Sequence, residues 1–409
     1  MRVLHVTDSY APTIGGLERA VSTLAHFQAD RGDQVAILTS THPEDGSERQ
    51  EGNVTVYRRD MLAQKVPGVT SDPLRPFHPT MTDPLFRRGV KEILASFDPN
   101  IIHVHGWSEF SVLGPAKKAG IPVVATAHDY GHLCAVKMCI FSDGTVCHVP
   151  GTEKCLRHSL QHYGAKGAII SLGLRSSIRG SQGIAWSAIS QAVADFGKGS
   201  SYWIPGMRVI PTYVPDAALD AINAPERPKW LPEEDYLLFV GGFSPAKGVH
   251  VLADAYQRFR ASGFTAPLVM LGTRHAETPD LDLAGITVRY NVAHSEVMAA
   301  WKYASIGLVP SVVPEPFGLV VVECMAAGTP VIATNHGGIP DIVEDGLQGL
   351  LVRPNDASDL AQAMTRLWQD PARRTRMGAA GPARAKRFVI SHVINQIDEF
   401  YEDAIAENG

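Results

Sequence analysis

The stretch Val309-Pro-Ser-Val-Val-Pro-Glu-Pro-Phe-Gly-Leu-Val-Val-Val-Glu323 decides the reading of this chain. Ile306 to Val309 form a strand-length apolar run, and Pro310, Pro314 and Pro316 then hold the chain out of helical geometry. A helix is expected from near Gly318 through Glu323, Cys324 and Met325 to a stop at Gly328. The amides of Phe317, Gly318 and Leu319 would then point out of a helix N-terminus, a setting that suits an anion such as phosphate. Helical side chains lean back toward the N-terminus, so Glu323, about 7.5 Å along the axis, sits behind the mouth that Glu315 occupies. Amides for phosphate and carboxylates for hydroxyls suit a nucleotide sugar. The bland reading, two solvated glutamates on an ordinary strand-turn-helix, is weakened by the neighbouring residues. Thr329-Pro-Val-Ile-Ala-Thr-Asn-His-Gly-Gly338 is a second strand running into glycines. Two such loops in succession end on one edge of a parallel sheet, where open α/β folds bind ligands.

Glu315 and Glu323, with Phe317-Gly318-Leu319 between them and Gly337-Gly338 after, resemble the E-x7-E signature of retaining glycosyltransferases of family 4. The resemblance runs over essentially the whole chain. It implies an α/β GT-B fold: two Rossmann-like, doubly wound parallel-sheet domains with an inter-domain cleft. The boundaries expected are residues 1–212 for an acceptor-side domain, 213–234 for a linker, 235–385 for a nucleotide-sugar-binding domain, and 386–409 for a helix crossing back to the first domain.

Composition agrees with two globular domains. The chain has 409 residues, of which 45% are hydrophobic and 19% charged, enough apolar material for two cores of about 200 residues. A formal net charge of −5 gives no global basic field for nucleic acid or anionic membranes. Met1 to Thr7 offers only a strand-length apolar run, and no stretch reaches the ~18 apolar residues of a membrane span, so a cytoplasmic, soluble protein is expected.

The same strand, glycine and helix logic recurs along the chain. Arg2–Thr7 reads as a central strand, followed by a loop ending in Gly15-Gly16 and a helix with Leu17, Ala20, Val21, Leu24 and Ala25 on one face. The resemblance gives Gly15 and Gly16 a place against the donor phosphates. His128 and Asp129 follow the strand Val123–Ala127 directly; by resemblance His128 contacts the donor sugar and Asp129 lies on the acceptor side. In the second half, Tyr236–Val240 leads into Gly241-Gly-Phe-Ser-Pro-Ala-Lys247-Gly248, which places Lys247 at a helix start, able to neutralise a diphosphate. Family members carry an Arg where this chain has Gly242. Arg274, after Leu271-Gly272, is the candidate for the second charge. Asn291 opens the loop that by resemblance holds the nucleobase, largely through backbone groups.

Three stretches keep two readings each. The proline-punctuated connection Pro67 to Pro84 is either acceptor-facing or a passive surface loop. Cys134, Cys139, Cys147 and Cys155, with His148 and His158 interleaved, are either packing thiols or hold a structural zinc at Cys139, Cys147, Cys155 and His158. Lys166, Arg175 and Arg179, alternating with Ile169, Ile170, Leu172 and Leu174, form either a solvated helix face or an interfacial helix for peripheral membrane contact.

The chemistry expected is transfer of a sugar from a nucleoside diphosphate donor, with UDP favoured, to a hydroxyl acceptor whose identity is open. Lys247, the Gly15-Gly16 loop and the Phe317-Gly318-Leu319 amides would stabilise the leaving diphosphate with no metal cofactor required. Glu315 would hold sugar hydroxyls and Glu323 the ribose. Neither glycine loop forms G-x-G-x-x-G after its strand, which argues against a dinucleotide oxidoreductase. A nucleotide-sugar hydrolase or epimerase, or an inactive binding protein, would use much of the same site.

Overall fold

A computed structural model describes residues 1–13, 15–66, 78–141, 145–178, 180–181, 184–223, 226–274, 278 and 284–408. Most of the connection Pro67 to Pro84 therefore lies outside the described residues, as do Arg179 and Gly183. The chain divides into two compact units, Met1–Thr212 with Val393–Gly409, and Tyr213–His392.

In the first unit the strands and helices alternate as β1 (Arg2–Thr7), α1 (Gly16–Asp30), β2 (Gln34–Ser40), β3 (Glu48–Glu51), β4 (Val54–Arg59), α2 (Leu62–Lys65), α3 (Pro84–Phe97), β5 (Ile101–His105), α4 (Glu109–Ala119), β6 (Val123–Ala127), α5 (Thr152–Tyr163), α6 (Lys166–Ile178), β7 (Ala185–Ala188), α7 (Gln191–Asp195) and β8 (Arg208–Val209). The sheet order is β3-β4-β2-β1-β5-β6-β7-β8. All neighbours are parallel except β3, an antiparallel edge strand that carries no apolar signal and that sequence reading passed over. The strands are apolar on both faces because both are covered. Val35 and Ile37 pack against Val21, Ala25 and Ala29 of α1, while Ala36 and Leu38 pack on the other side against Phe86, Val90 and Ile93 of α3. Asp83 starts α3 and accepts from the amides of Leu85 and Phe86, a cap worth about 1 kcal/mol.

The second unit holds β9 (Leu237–Val240), α8 (Val249–Ala261), β10 (Leu268–Gly272), β11 (Ile286–Tyr290), α9 (His294–Tyr303), β12 (Ile306–Val309), α10 (Leu319–Ala326), β13 (Val331–Thr334), α11 (Ile339–Ile342), β14 (Gly349–Val352), α12 (Ala357–Trp368) and α13 (Pro371–Ala385). Its sheet, β11-β10-β9-β12-β13-β14, is parallel throughout. Val251, Leu252, Ala255 and Phe259 of α8 and Leu360, Met364 and Leu367 of α12 close over Leu237, Phe239, Leu268 and Leu308. Truncating a fully buried leucine such as Leu252 to alanine costs about 2–5 kcal/mol.

The stretch 213–234, expected to be a linker, is built into the second unit. Val214 N donates to Phe388 O at 2.9 Å and Ile390 N donates to Val214 O at 3.0 Å. The chain then returns: from Val393 onward α14 (Ile390–Asn408) belongs to the first unit. Asp398 accepts two hydrogen bonds from the Arg31 guanidinium at 2.5 and 2.7 Å, and the fully buried Tyr401 reaches His103 at 2.7 Å.

Among the parallel strands of each sheet the order reverses once, between β1 and β5 in the first and between β9 and β12 in the second. Ligands bind beyond the carboxyl ends of strands at such switch points. The loops leaving β9 and β12 are the Lys247 loop and the Glu315 loop.

Candidate active site

The second switch point is stitched by backbone before any side chain is considered. Val312 N donates to Ala246 O at 2.9 Å, joining the two loops. Gly338 N donates to Glu315 O at 2.7 Å, which brings in the loop after β13. Gly337 has φ +62°, and a Cβ there would lie 2.1 Å from Glu315 O, so no other residue fits without moving the glutamate. On this frame Lys247 Nζ donates to Glu315 Oε1 at 2.6 Å, and Ser311 Oγ donates to the same oxygen at 2.5 Å. Burial works against charge on Glu315, but the Lys247 ammonium and the Ser311 hydroxyl outweigh it and hold the carboxyl below its usual range.

Behind this pair α10 begins at Leu319 with Gly318 as its cap residue at φ +123°. The first amides of a helix have no carbonyl a turn earlier to bind, so the helix start is a donor cluster. Phe317 is buried with its ring 5.6 Å from Phe388. Glu323, one turn in and buried, lies 3.1 Å from His294 Nε2. Gly242 accepts from Ser244 N at 2.9 Å, and the next residue, Phe243, pairs in parallel with Arg274. Exposed Arg274 thus shares an edge with the loop that lacks the family's arginine. Asn291, at φ +53°, donates its amide to Gly272 O at 3.1 Å, one strand further along that edge.

The first unit has its own pocket at its switch point. Gly106, Trp107, Glu109, Thr126, His128, Asp129, Lys137 and Trp186 are among the residues that line it. Asp8, at the end of β1, accepts from the amides of Trp107 and Ser108 at 3.1 and 2.8 Å, which folds the β5 loop over it. Gly106, at φ +99°, has room for no side chain, since a Cβ would lie 2.6 Å from Asp8 Oδ2. Burial raises the pKa of Asp8 and, with Asp8 as neighbour, pushes the Glu109 carboxyl well above its usual range. Lys137 Nζ sits 4.4 Å over the Trp107 ring and 3.9 Å from Asp129 Oδ2. Asp129 also accepts from Gly131 N at 2.6 Å, and His128 Nε2 lies 2.9 Å from His105 Nδ1. Gly15 is the extended cap residue of α1, and Gly16 opens the helix with open space around its Cα.

Sequence reading found His128 and Asp129 but missed Asp8, Glu109, Trp107 and Lys137. His103-Val-His105 was the available signal: two histidines at period 2 inside an otherwise apolar strand must share one face.

The cysteines are all free and buried. Cys134 takes hydrogen bonds from the Cys139 thiol, His158 and the Cys139 and Val136 amides, and its pKa falls well below the usual thiol value despite burial. Arg175 Nη2 donates to Cys155 Sγ at 2.6 Å. Among the described residues, the trio of His, Cys, Asp or Glu whose ligand atoms all lie within 4.8 Å is His5, His103 and His105. The ligand atoms of Cys139, Cys147, Cys155 and His158 are not all within that distance of one another, and the Arg175 guanidinium sits on the Cys155 sulfur. The same contact corrects the basic helix. Arg175 is buried, bonded to Cys155 and to Leu133 O at 3.0 Å and stacked on Tyr202, while Ile169 and Leu172 are exposed. No helix among the described residues is long and apolar enough to cross a membrane.

Residues 14–195 match the family described as Glycosyltransferase Family 4, and residues 222–384 the family described as Glycosyl transferases group 1. Glycogen synthase of Mycobacterium tuberculosis is 26% identical over 94% of this chain and 90% of its own length. D-inositol 3-phosphate glycosyltransferase of Acidothermus cellulolyticus is 28% identical over 96% and 86%. Among solved structures, sucrose-phosphate synthase from Thermosynechococcus elongatus superposes with a TM-score of 0.71, at 21% identity and full coverage of both chains. Anabaena HepE in complex with UDP-glucose superposes with a TM-score of 0.65, at 18% identity over 98% of this chain and 100% of that one.

Proposed function

This chain is a family 4-like glycosyltransferase of the GT-B fold, and from that premise we propose that it transfers a hexosyl group from a nucleoside diphosphate sugar to an acceptor hydroxyl with retention of configuration. The observation that carries the reading is the Lys247–Glu315 pair, 2.6 Å apart at the switch point of the second sheet and beside the start of α10. Departure of the diphosphate gathers negative charge, which a cation and helix amides stabilise without reorganising. Lys247 and the amides of Phe317, Gly318 and Leu319 take that role, with Arg274 in place of the arginine absent at Gly242. Glu315 turns to the sugar hydroxyls, Glu323 to the ribose, and Asn291 to the base. His128 contacts the donor sugar, Gly15 and Gly16 its phosphates, and Asp129 the acceptor. UDP is the favoured carrier: HepE has been captured with UDP-glucose, although starch synthase IV of Arabidopsis thaliana has been captured with ADP.

A thermal-shift titration with UDP, GDP, ADP and TDP in the presence of EDTA tests the donor site. A ligand that binds only the folded chain raises the melting temperature by mass action. Selective stabilisation by one nucleotide is expected, UDP first. No shift from any of them, in folded protein, removes the donor site. Retention is read from the anomeric signal of the product by NMR, and release of free sugar or an isomer without acceptor would point instead to a hydrolase or epimerase.

A further inference from the structure

Behind His128 lies a chain of buried imidazoles. His105 Nδ1 is 2.9 Å from His128 Nε2, His105 Nε2 is 3.0 Å from His5 Nδ1, and His5 Nε2 is 2.8 Å from Gln28 Oε1. His103 stands beside them, with Nδ1 at 2.7 Å from the Tyr401 hydroxyl and Nε2 at 2.6 Å from Thr126 Oγ1. Both ring nitrogens of His5, His103 and His105 are thus engaged in hydrogen bonds. A metal ion in the His5, His103, His105 trio would have to break these bonds, so the trio is read as a hydrogen-bonded relay.

A neutral imidazole carries one donor and one acceptor nitrogen, so a file of them is directional. Burial pulls His5 and His128 down to about 4 and takes His103 and His105 well below their usual value, which leaves all four neutral at pH 7. Asp129 and Lys137 are the charged groups acting on His128, in opposite senses. The direction is set at the far end. Gln28 presents its carbonyl oxygen to His5 Nε2 at 2.8 Å. His5 must then donate from Nε2 and accept at Nδ1. His105 in turn donates from Nε2 and accepts at Nδ1, and the hydrogen it accepts belongs to His128 Nε2.

We propose that Gln28, acting through His5 and His105, fixes His128 as the Nε2–H tautomer, so that His128 Nδ1 is a hydrogen-bond acceptor reserved for a substrate hydroxyl. Gln28, His5 and His105 are positioning residues; none of them lines the pocket. The use of Nδ1 on a hydroxyl rests on the function proposed above, whereas the tautomer itself does not. Were the Gln28 amide turned over, every hydrogen in the file would reverse and His128 would offer a donor, which would select against a sugar hydroxyl acting as donor. One amide therefore sets the hydrogen-bonding sign of a side chain two imidazoles away.

The test is a long-range 1H–15N spectrum of the full chain with 15N-labelled histidine at pH 7, His128 being assigned from the signals lost in His128→Gln. A proton on Nε2 and a bare Nδ1 are expected in the parent chain and in Gln28→Glu, which keeps an acceptor. In Gln28→Met, which removes it, the two His128 nitrogens should move toward averaging. A proton on Nδ1 in the parent chain overturns the proposal, and so does a Gln28→Met spectrum identical to the parent's. Transfer assays separate this from the functional reading: Gln28→Met should lose on the order of tenfold in kcat with nucleotide affinity unchanged, and Gln28→Glu should not. A chain with the expected tautomer that transfers nothing would sink the function and leave the relay standing.

Discussion

Behind the pocket of the first sheet the polar groups are neutral imidazoles: His128, His105 and His5 in file, with His103 beside them. At the carboxyl edge of the second sheet they are ionic, with Lys247 on Glu315. The backbone devices are alike, since each loop is pinned by a glycine at positive φ against a carboxyl-bearing residue, Gly106 on Asp8 and Gly337 on Glu315. What differs is the means of keeping polar groups out of water. A hydrogen-bonded neutral file has no net charge to desolvate, whereas the ion pair keeps Lys247 nearly two-fifths exposed and ready to move to an incoming anion.

The widest gap should open in catalysis. Lys247→Ala removes the cation offered to the leaving group and is expected to cut transfer about 10²–10³-fold, as loss of one preorganised electrostatic contact does. Glu315→Ala should do the same. Near-normal turnover in either, measured with saturating nucleotide sugar, would break the contrast at its charged end.

Acid should then separate the units by stability. His5 and His128 stand at about 4 in the folded chain against an ordinary value of 6.5, so the unfolded state binds their protons first. Stability of the first unit is therefore expected to fall as pH drops below about 6.5, by a few kcal/mol in all. Glu315 is shifted in the same direction but starts lower: its contribution holds above the ordinary carboxyl range and is lost as pH falls through its lowered value. Limited proteolysis between pH 7 and 5 should cut the first unit while sparing the second. Equal sensitivity of the two would erase the distinction.

Nucleotide affinity sharpens the ionic side. Glu323→Ala, which also releases His294, should weaken nucleotide binding about tenfold and leave turnover at saturating donor within about twofold. The smallest effect is on the neutral side. Tyr401→Phe removes the hydroxyl that meets His103 Nδ1 and should lower the urea stability of the first unit by about 1 kcal/mol, with no change in nucleotide binding.

Much of this was written locally in the chain. Val309 to Glu323 carries its own strand, proline loop, cap glycine and helix, so both the fold and Glu315, Gly318 and Glu323 could be read without knowing what lies nearby. Lys247 was legible for the same reason, as part of a strand-glycine-helix unit. The pairing of Lys247 with Glu315 was not, because it depends on β9 and β12 lying side by side across 68 residues. The imidazole file was hidden for a stronger form of this cause. It needs the register that sets His5 against His103, and Thr7 against His105, across β1 and β5. Arg175 misled because periodicity along a helix does not say which face a neighbouring thiol will claim.

The path of the chain has a consequence during synthesis. The second unit, 213–392, is one uninterrupted segment, whereas the first is completed only by residues beyond Val393. Domains generally fold as they leave the ribosome, but the slot for Tyr401 and the partner of Arg31 stay vacant until α14 has emerged. The unit made first is therefore finished last. For that interval its histidine file stands open to water, and a nascent chain stalled between residues 392 and 400 should present a folded second unit joined to an incomplete first one.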